Sequence, residues 1–498
     1  MSTQYILALD LGTTGNRALV FDHSGAVIAQ AYQELTQHYP QPAWVEHDAS
    51  EIWADTQTVM KQAIADAKIE PSQIAAMGLT VQRETCVLWD KTTGQPLHNA
   101  IVWQDRRTAD LCNKLREQGK APEIQERTGL VLDAYFSASK LSWMLDWVKQ
   151  NKPDVDLNNV IAGTVDTWVL WNLTGGKVHA TDDSNACRTM LYNLKERQWD
   201  TTLLDLFNLP HHFMGEIRSS LGDFGKTDAA VCGAEIPVRT IFGDQQAALF
   251  AHGCDRPGLL KCTYGTGAFL VAQTGKGIAT SKHRLLSTIA WTESSKGTVL
   301  HALEGSMFTA GACIQWLRDE LKFVENAAET EDLALSVEDN AGVYFVPALS
   351  GLGAPHWDMD ARGAFFGMTR GSGKAHLIRA VLEAIAFQVR DVVQAVNEDC
   401  GSPIKTLKVD GGACQNNFLM QFQADVLGIP VERPVVLDAT AQGAAFGAGL
   451  ASGFWDDYHT LINSRKIDKV FEPSENAATA QANFQTWLKA VERTKNWE

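Results

Sequence analysis

A glycine- and threonine-rich turn near the start of the chain has the residues of a phosphate-binding hairpin. The sequence Asp-Leu-Gly-Thr-Thr-Gly at residues 10–15 lies between apolar runs at residues 5–9 and 18–21, each as long as a buried strand. Glycine lets the backbone approach a ligand closely, and successive N–H groups form a nest for an anion. Asp10, which ends the incoming strand, could bind hydrated Mg²⁺. From these residues alone a plain β-hairpin is equally open, because Gly and Asp abound in turns.

A second turn of the same form occurs in the other half of the chain. Gly-Thr-Gly at residues 265–267 separates apolar runs at residues 258–264 and 268–271. Asp244 follows a further apolar run, at residues 238–242, and its carboxylate could orient a nucleophile and take its proton. Two such hairpins could hold a triphosphate, since phosphoryl transfer needs positioning, Mg²⁺ and charge stabilisation more than covalent chemistry. The repeated hairpin also predicts two related lobes.

The composition narrows the class of protein. A chain of 498 residues exceeds one ordinary core, so two lobes are expected. The net charge of −16 argues against nucleic acid or an anionic membrane as a partner. Nine cysteines without a C-x-x-C pair indicate reduced thiols and a cytoplasmic location. With neither a basic leader nor an apolar run of membrane-spanning length, stable membrane insertion is not expected. Walker-type, dinucleotide-binding and zinc-protease motifs are absent from the sequence.

Apolar patterns along the chain alternate between strands and helices, which is typical of an α/β protein. Residues 48–51 resemble a capping box at the start of a helix. The main predicted elements are strands at residues 74–80 and 238–242, and helices at residues 247–252, 377–396, 418–427 and 439–445. Residues 302–321 are predicted to be helical after Glu304-Gly305.

The ordered set of motifs resembles that of the glycerol kinase family, within the sugar kinases of the actin-like ATPase superfamily. The resemblance covers nearly the whole chain. It rests on Asp-Leu-Gly-Thr-Thr-Gly at 10–15, Gln-Arg-Glu-Thr at 82–85, Ile-Val-Trp-Gln at 101–104, Asp-Ala-Tyr-Phe-Ser at 133–137, Gly-Thr-Val-Asp-Thr-Trp at 163–168, Gly-Asp-Gln-Gln-Ala-Ala-Leu-Phe at 243–250, Thr-Tyr-Gly-Thr-Gly at 263–267, Gly-Leu-Gly-Ala-Pro at 351–355 and Val-Asp-Gly-Gly at 409–412.

The resemblance implies an α/β fold of two RNase H-like lobes with a cleft between them. Residues 1–253 would form the N-terminal lobe, with the polyol site and the first phosphate hairpin. Residues 254–498 would form the C-terminal lobe, with the second hairpin and the adenosine site. The family includes dimers and tetramers, so a homodimer or homotetramer is compatible with the resemblance.

The resemblance also implies a reaction: transfer of the γ-phosphoryl group of ATP, with Mg²⁺, to a terminal hydroxyl of glycerol, the first step of glycerol catabolism. Asp244 would be the general base, and Asp10 would act through Mg²⁺. The polyol-binding residues would be Arg83, Glu84, Trp103, Tyr135, Asp244, Gln245 and Phe269. The nucleotide-binding residues would be Thr13, Thr14, Arg17, Thr266, Gly311, Gln315, Gly412 and Asn416.

Structural interpretations of the same residues stay open at this point. Arg83 and Glu84 could form a surface ion pair, Asp244 and Asn416 could cap helices, and Trp103 and Phe269 could belong to the core. Two other functions also fit the residues. One is a kinase of a pentulose or another small polyol, and the other is an actin-like filament or chaperone ATPase, which needs phosphate hairpins but no polyol site.

One loop departs from the family pattern. Members inhibited by fructose 1,6-bisphosphate carry Gly-x-Arg before the strand that leads to the catalytic Asp, whereas residues 233–235 here read Gly-Ala-Glu. A carboxylate at Glu235 would repel a bisphosphate that an arginine would bind. This feedback inhibition is therefore expected to be weak or absent.

Overall fold

The computed structural model describes residues 4–401 and 403–497, which form a mixed α/β structure. The strands are β1 (Tyr5–Leu11), β2 (Gly15–Phe21), β3 (Val27–Glu34), β4 (Glu46–His47), β5 (Ile74–Val81), β6 (Cys86–Asp90), β7 (Ala100–Ile101), β8 (Val160–Thr164), β9 (Ala180–Asp182), β10 (Tyr192–Asn193), β11 (Gln198–Trp199), β12 (Glu216–Arg218), β13 (Val238–Gly243), β14 (Leu260–Tyr264), β15 (Ala268–Gly275), β16 (Leu286–Glu293), β17 (Thr298–Met307), β18 (Tyr344–Val346), β19 (Ala364–Phe366), β20 (Leu407–Asp410), β21 (Val431–Pro434) and β22 (Ile467–Phe471).

The helices confirm the predicted alternation of strand and helix. They are α1 (Ala49–Asp66), α2 (Ala109–Glu117), α3 (Ala121–Thr128), α4 (Ser137–Asn151), α5 (Val165–Leu173), α6 (Asp183–Ala186), α7 (Thr201–Leu206), α8 (Ala229–Cys232), α9 (Asp244–Ala251), α10 (Gly311–Asp319), α11 (Glu329–Leu335), α12 (Lys374–Cys400), α13 (Asn417–Leu427), α14 (Ala439–Ser452), α15 (Tyr458–Asn463) and α16 (Ala477–Glu492). Within the described residues no helix combines the length and the apolarity needed to span a membrane.

The chain divides into two compact units. The first contains the residues up to Gly253 together with Ser287–His301 and Thr440–Ser464. The second contains Cys254–Leu286, Ala302–Ala439 and the residues from Arg465 onward. The division into two continuous lobes is therefore too simple, because two later segments pack with the first unit.

The first unit is built on a sheet with the strand order β13-β5-β1-β2-β3. Strands β1 and β2 form the antiparallel hairpin, and β1, β5 and β13 run parallel. Helix α1 packs on β2 and β3. It begins after Asp48, whose carboxylate accepts a hydrogen bond from Ser50 N–H. The predicted capping box is wrong, because the Glu51 carboxylate accepts hydrogen bonds from the backbone and hydroxyl of Thr36.

Helix α14 contacts β5 and α9 backbone to backbone, through glycines. A Cβ atom on Gly78 of β5 would lie 2.1 Å from the carbonyl oxygen of Ala444, and one on Gly443 would lie 2.0 Å from that of Ala247. Real Cβ atoms do not tolerate such distances, so only glycine permits this approach. The small residues of α14 are thus explained by its position in the first unit.

The second unit repeats the hairpin arrangement. Its sheet contains the strands β17, β15, β14, β20, β21 and β22 in that order. Strands β14 and β15 are antiparallel and β14 is parallel to β20, as β1 and β2 are related to β5. Helices α12 and α13, both predicted from their apolar pattern, pack against each other. The predicted helix at residues 302–321 is partly wrong, since residues 302–307 continue β17 and α10 begins at Gly311.

Candidate active site

Three predicted residues lie at one edge of the first sheet. In the register of the parallel strands, Asp10 is opposite Thr80, and Thr80 is opposite Phe242. Strands β1, β5 and β13 therefore end at the same level, and Arg83 and Asp244 follow the last residues of β5 and β13. Ligands of open α/β sheets bind outside the carboxyl ends of the strands. The fold thus places these charged residues where a substrate site is expected.

Arg83 and Asp244 form an ion pair. Arg83 Nε lies 3.1 Å from Asp244 Oδ1, and the side chains are 2% and 29% exposed. Arg83 Nη1 also donates to Gln246 Oε1 at 3.2 Å, and Gln245 N–H donates to Asp244 Oδ1 at 2.7 Å. Asp244 is the first residue of α9, and Gly243 occupies its N-cap. The carboxylate is thus fixed by a buried cation and remains partly open to solvent, which is compatible with the predicted role of a base.

Glu84 is paired with an arginine that the sequence analysis did not single out. Arg188 Nε lies 2.6 Å from Glu84 Oε1, and both side chains are buried. The backbone of Glu84 has φ +63°, in the left-handed region that few non-glycine residues adopt. Ser137 Oγ donates to the Glu84 carbonyl oxygen at 2.9 Å. Because Arg83 and Glu84 are both buried, the alternative of a surface ion pair is wrong.

Trp103 and Tyr135 form an aromatic pair. Their ring centroids are 5.7 Å apart and the rings are inclined at 83°. Trp103 Nε1 donates to Thr13 Oγ1 at 2.9 Å, so the ring is attached to the first hairpin. The turn that carries Tyr135 is held by buried Lys140, whose Nζ donates to the Tyr135 carbonyl oxygen at 2.7 Å. Trp103 is half-buried, whereas Tyr135 is almost fully buried.

Side chains from several elements hold the first hairpin. Gly12 N–H donates to the Gly15 carbonyl at 3.0 Å, which closes the turn. The amide Nε2 atoms of Gln82 and Gln37 donate to the carbonyl oxygens of Gly12 and Thr13, at 3.1 and 2.9 Å. Thr14 is exposed at the tip, where its hydroxyl is accessible to a ligand.

His47 connects the two glutamines that support this hairpin. Its Nε2 lies 2.9 Å from Gln37 Oε1 and its Nδ1 lies 3.4 Å from Gln82 Nε2, an arrangement that suits a neutral ring protonated on Nε2. Burial, with the charge of His38 nearby, lowers the pKa of His47 to about 4. The ring therefore stays neutral at neutral pH.

Two charged residues face each other across this hairpin. Asp10 in β1 is paired in register with Arg17 in β2, and the Arg17 guanidinium lies over the ring of Tyr32 at 5.5 Å from its centroid. Thr440, near the start of α14, donates from Oγ1 to Asp10 Oδ2 at 2.7 Å.

The described residues contain no cluster of three His, Cys, Asp or Glu side chains that could hold a metal. A carboxylate beside this hairpin fits Mg²⁺, which commonly takes one or two carboxylates and completes its shell with water and phosphate oxygens.

In the second unit, the second hairpin contacts the start of α10. Gly311 N–H donates to the Gly265 carbonyl at 2.9 Å, and Ala312 N–H donates to the Thr266 carbonyl at 3.0 Å. A Cβ atom on Gly311 would lie 2.5 Å from the Gly265 oxygen, so the contact requires glycine. The structure thus brings together two predicted nucleotide residues, Thr266 and Gly311. Gln315 lies on the same helix and is exposed.

The remaining predicted residues of the second unit lie after β20 and in β15. Gly412 is exposed and begins a short 3₁₀ turn. Asn416 caps α13, since its Oδ1 accepts a hydrogen bond from Leu419 N–H at 2.8 Å, so the structural interpretation of this residue is confirmed. Phe269, which the resemblance groups with the polyol residues, is buried in β15 of the second unit, and Lys261 Nζ donates to its carbonyl oxygen at 3.4 Å.

Two sequence models of carbohydrate kinase domains together match most of the chain. The model for the N-terminal domain of the FGGY family of carbohydrate kinases matches residues 5–251, and the model for the C-terminal domain matches residues 260–452. The chain belongs to the FGGY family of carbohydrate kinases. The sugar-kinase prediction is thereby confirmed.

Individual FGGY kinases resemble the chain over its whole length. The glycerol kinase of Acaryochloris marina is 71% identical over 498 residues, which are 100% of this chain and 99% of the relative. The crystal structure of Plasmodium falciparum glycerol kinase with ADP is 34% identical with a TM-score of 0.89, over 99% of this chain and 98% of that one. A ligand-bound xylulose kinase from Lactobacillus acidophilus has a TM-score of 0.88 at 21% identity, over 98% of both chains. That last similarity shows the fold alone and confirms the predicted two-domain α/β architecture.

Three residues that contact the predicted site of this FGGY kinase were missed in the sequence. Arg188, Gln246 and Thr440 contact Glu84, Arg83 and Asp10 respectively. Each is remote in sequence from its partner, so no local pattern links them. The only available signal was for Gln246, which follows Asp244 by two residues within a quoted motif.

Proposed function

We propose that this chain transfers the γ-phosphoryl group of ATP to glycerol and forms sn-glycerol 3-phosphate. The observation that carries the proposal is the buried Arg83 that holds a partly exposed Asp244 carboxylate where three parallel strands end. The identity of 71% to a glycerol kinase over the full chain supports glycerol among the substrates of FGGY kinases. The resulting ATP-dependent step begins glycerol catabolism in a cytoplasmic setting, in keeping with nine free thiols.

The residues near Asp244 suit a small triol. Arg83 donates hydrogen bonds, Glu84 accepts them and Tyr135 does either. The inclined rings of Trp103 and Tyr135 offer apolar surface to the carbon chain. A site that hydrogen-bonds a hydroxyl rejects analogues that lack it. The proposed polyol set also includes Gln245 and Phe269.

In the proposed reaction Asp244 accepts the proton of a terminal glycerol hydroxyl. The oxygen then forms a bond to the γ-phosphorus, while the bond from this phosphorus to the β–γ bridging oxygen breaks and ADP leaves. Arg83 keeps the Asp244 carboxylate oriented toward the hydroxyl. Asp10 would hold Mg²⁺, which supplies neutralisation of phosphate charge when it is bound.

The proposal divides the substrates between the two units. The first carries the polyol residues other than Phe269 and one proposed phosphate hairpin. The second carries Phe269, the other hairpin and the proposed adenosine residues. The nucleotide-binding residues of the proposal are Thr13, Thr14, Arg17, Thr266, Gly311, Gln315, Gly412 and Asn416.

ADP formation from MgATP, measured with and without glycerol, tests the proposed function. We expect strong glycerol dependence in the wild type and a fall in kcat of about 10²–10⁴-fold in Asp244→Asn, which removes the base. Asp205→Asn is the control, because this carboxylate is 72% exposed and pairs only with His211 in the described contacts. Turnover that ignores glycerol would contradict the proposal, as would faster turnover of a pentulose than of glycerol.

The proposal includes weak or absent inhibition by fructose 1,6-bisphosphate. Glu235 is exposed, and its carboxylate lies 3.5 Å from Lys226 Nζ. The carboxylate both repels a bisphosphate and partly neutralises a nearby cation. A titration of glycerol-dependent activity with fructose 1,6-bisphosphate is expected to give a flat response, and strong inhibition would contradict this part of the proposal.

A further inference from the structure

A short buried segment contacts both sides of the proposed polyol site. Arg188, just after α6, pairs with Glu84 at 2.6 Å. Ser184, within α6, accepts a hydrogen bond on Oγ from Gly243 N–H at 2.9 Å, and Gly243 directly precedes Asp244. Ser184 and Arg188 are only four positions apart along the chain. The segment therefore fixes Glu84 relative to the residue that introduces the proposed base.

The Arg188 guanidinium serves more than one partner. It lies 5.7 Å from the ring centroid of Tyr135 and 5.4 Å from that of Phe136, while Nε faces Glu84. A planar guanidinium can use its edge for a carboxylate and its face for an aromatic ring, which a lysine ammonium cannot do. Arg188 thus contacts two of the proposed polyol ligands at once.

Stability alone is a weak reason for this ion pair. The side chains of Arg188 and Glu84 are 0% and 2% exposed, so both charges lose their hydration. Desolvation offsets much of the attraction in such a pair, and apolar residues of similar volume are often as stable. An ion pair buried next to a proposed substrate site is better explained by the geometry that it imposes.

We propose that Arg188 is a positioning residue that sets the polyol specificity of this kinase. It holds the Glu84 carboxylate and the Tyr135 ring in the arrangement that receives the substrate hydroxyls. Ser137 fixes the Glu84 backbone, and Arg188 fixes its carboxylate, so the two ends of the residue are held independently. The inference rests on the proposed function and concerns discrimination between polyols.

The test compares glycerol with two analogues, propane-1,2-diol and propane-1,3-diol, each of which lacks one hydroxyl. The variants are Arg188→Met, which keeps an unbranched chain without charge, and Arg188→Lys, which keeps the charge without the planar group. Arg197→Met is the matched control, because Arg197 pairs with Asp183 of the same α6 at 2.6 Å.

Arg188→Met is expected to lower kcat/KM for glycerol about 100-fold and to reduce the preference for glycerol over each diol at least about tenfold. The KM for ATP should change less than about threefold, since the described contacts of Arg188 are with Glu84, Tyr135 and Phe136, none of which is a proposed nucleotide residue. Arg188→Lys should restore part of the glycerol kcat/KM but not the full preference. The Arg197→Met control should retain the wild-type preference.

A purely structural role would give another pattern. Equal losses for glycerol and both diols, an equal rise in the KM for ATP, or the same effect in Arg197→Met would overturn the proposal. If Arg188→Met does not fold, Arg188→Lys decides: an unchanged preference for glycerol overturns the proposal, and a reduced one supports it. A wild type without glycerol-dependent turnover would instead reject the proposed function, irrespective of the variants.

Discussion

The two glycine–threonine hairpins have the same form but are held in place differently. The first, at Gly12–Gly15, is held by side chains, including those of Gln82, Gln37 and Trp103. The second, at Gly265–Gly267, is held by backbone N–H groups at the start of α10. Side-chain support links the first hairpin to the proposed polyol residues through Trp103. Backbone support makes the second depend on close approach, which only glycine allows.

The difference separates two ways of holding a glycine–threonine hairpin in place. A hairpin held by side chains can respond to pH or to a neighbouring substrate, because each support is a separate chemical group. A hairpin held by backbone contacts responds to neither and is sensitive instead to added volume. Substitutions near the two hairpins should therefore destabilise them for different reasons.

At neutral pH the largest effect on stability is expected from Gly311→Val in the second unit. A Cβ atom there would lie 2.5 Å from the Gly265 carbonyl oxygen, so the backbone must move. We expect a loss of about 3 kcal/mol in the free energy of unfolding, as for overpacked cores. Urea denaturation measures it, with Gly277→Val as the control, since a Cβ there meets nothing within 4 Å. Equal stability of the two variants would refute backbone contact as the support.

Acidification should weaken the first unit through His47. Its pKa is about 4 in the folded protein and near 6.5 when unfolded, so between these values the unfolded state binds more protons. The free energy of unfolding therefore falls as the pH falls from 6.5 to 4, by up to about 1.4 kcal/mol per unit of pH. Protonation also turns Nδ1 into a donor that faces the Gln82 amide. Thermal unfolding across this range should show a shallower slope in His47→Gln, and parallel slopes would contradict the assignment.

A double-mutant cycle between Trp103 and Thr13 should give an intermediate effect. Trp103→Phe removes the donor and Thr13→Val the acceptor of a 2.9 Å hydrogen bond. We expect a coupling energy of about 1 kcal/mol in kcat/KM for glycerol, because the bond joins a polyol residue to the hairpin. Additive effects of the two substitutions would show that the hairpin and the aromatic pair act separately.

The smallest effect is expected from Tyr32→Phe on the exposed side of the first hairpin. The Tyr32 hydroxyl donates to the Thr14 carbonyl at 3.2 Å, and the residue is 52% exposed, so water can replace this hydrogen bond. We expect the free energy of unfolding to fall by about 0.5 kcal/mol or less. Phenylalanine keeps the ring beneath Arg17, so chemical denaturation isolates the hydroxyl. A loss above about 2 kcal/mol would mean that this hydrogen bond is a main support.

Much of the fold was predictable because apolar periodicity reports burial. The strands β5 and β13 and the helices α12 and α13 lie where their patterns indicated. The helix prediction for residues 302–307 was wrong for the same reason, since a buried strand and a buried helix are both apolar. The membership of Thr440–Ser464 in the first unit could not be predicted, because no change in composition marks the point at which the chain returns to that unit.

The candidate site was predictable where function leaves a local motif. Asp10 lies near the end of a strand, and Arg83 and Asp244 follow strands, so a short pattern and the fold are enough to place them. Arg188 and Thr440 were not, because their roles exist only through contacts with residues remote in sequence. Glu51 shows the converse: a local capping pattern was present, but Thr36 competes for the carboxylate.

The glycine contacts of α14 have a consequence for biosynthesis. This helix packs on β5 and on α9, which carries Asp244, yet it is translated only after the larger part of the second unit. A ribosome that has synthesised the chain up to Gly253 has therefore made the whole of the first sheet without the helix that covers β5. During the interval the nascent chain exposes an apolar sheet surface, and chaperones bind such surfaces.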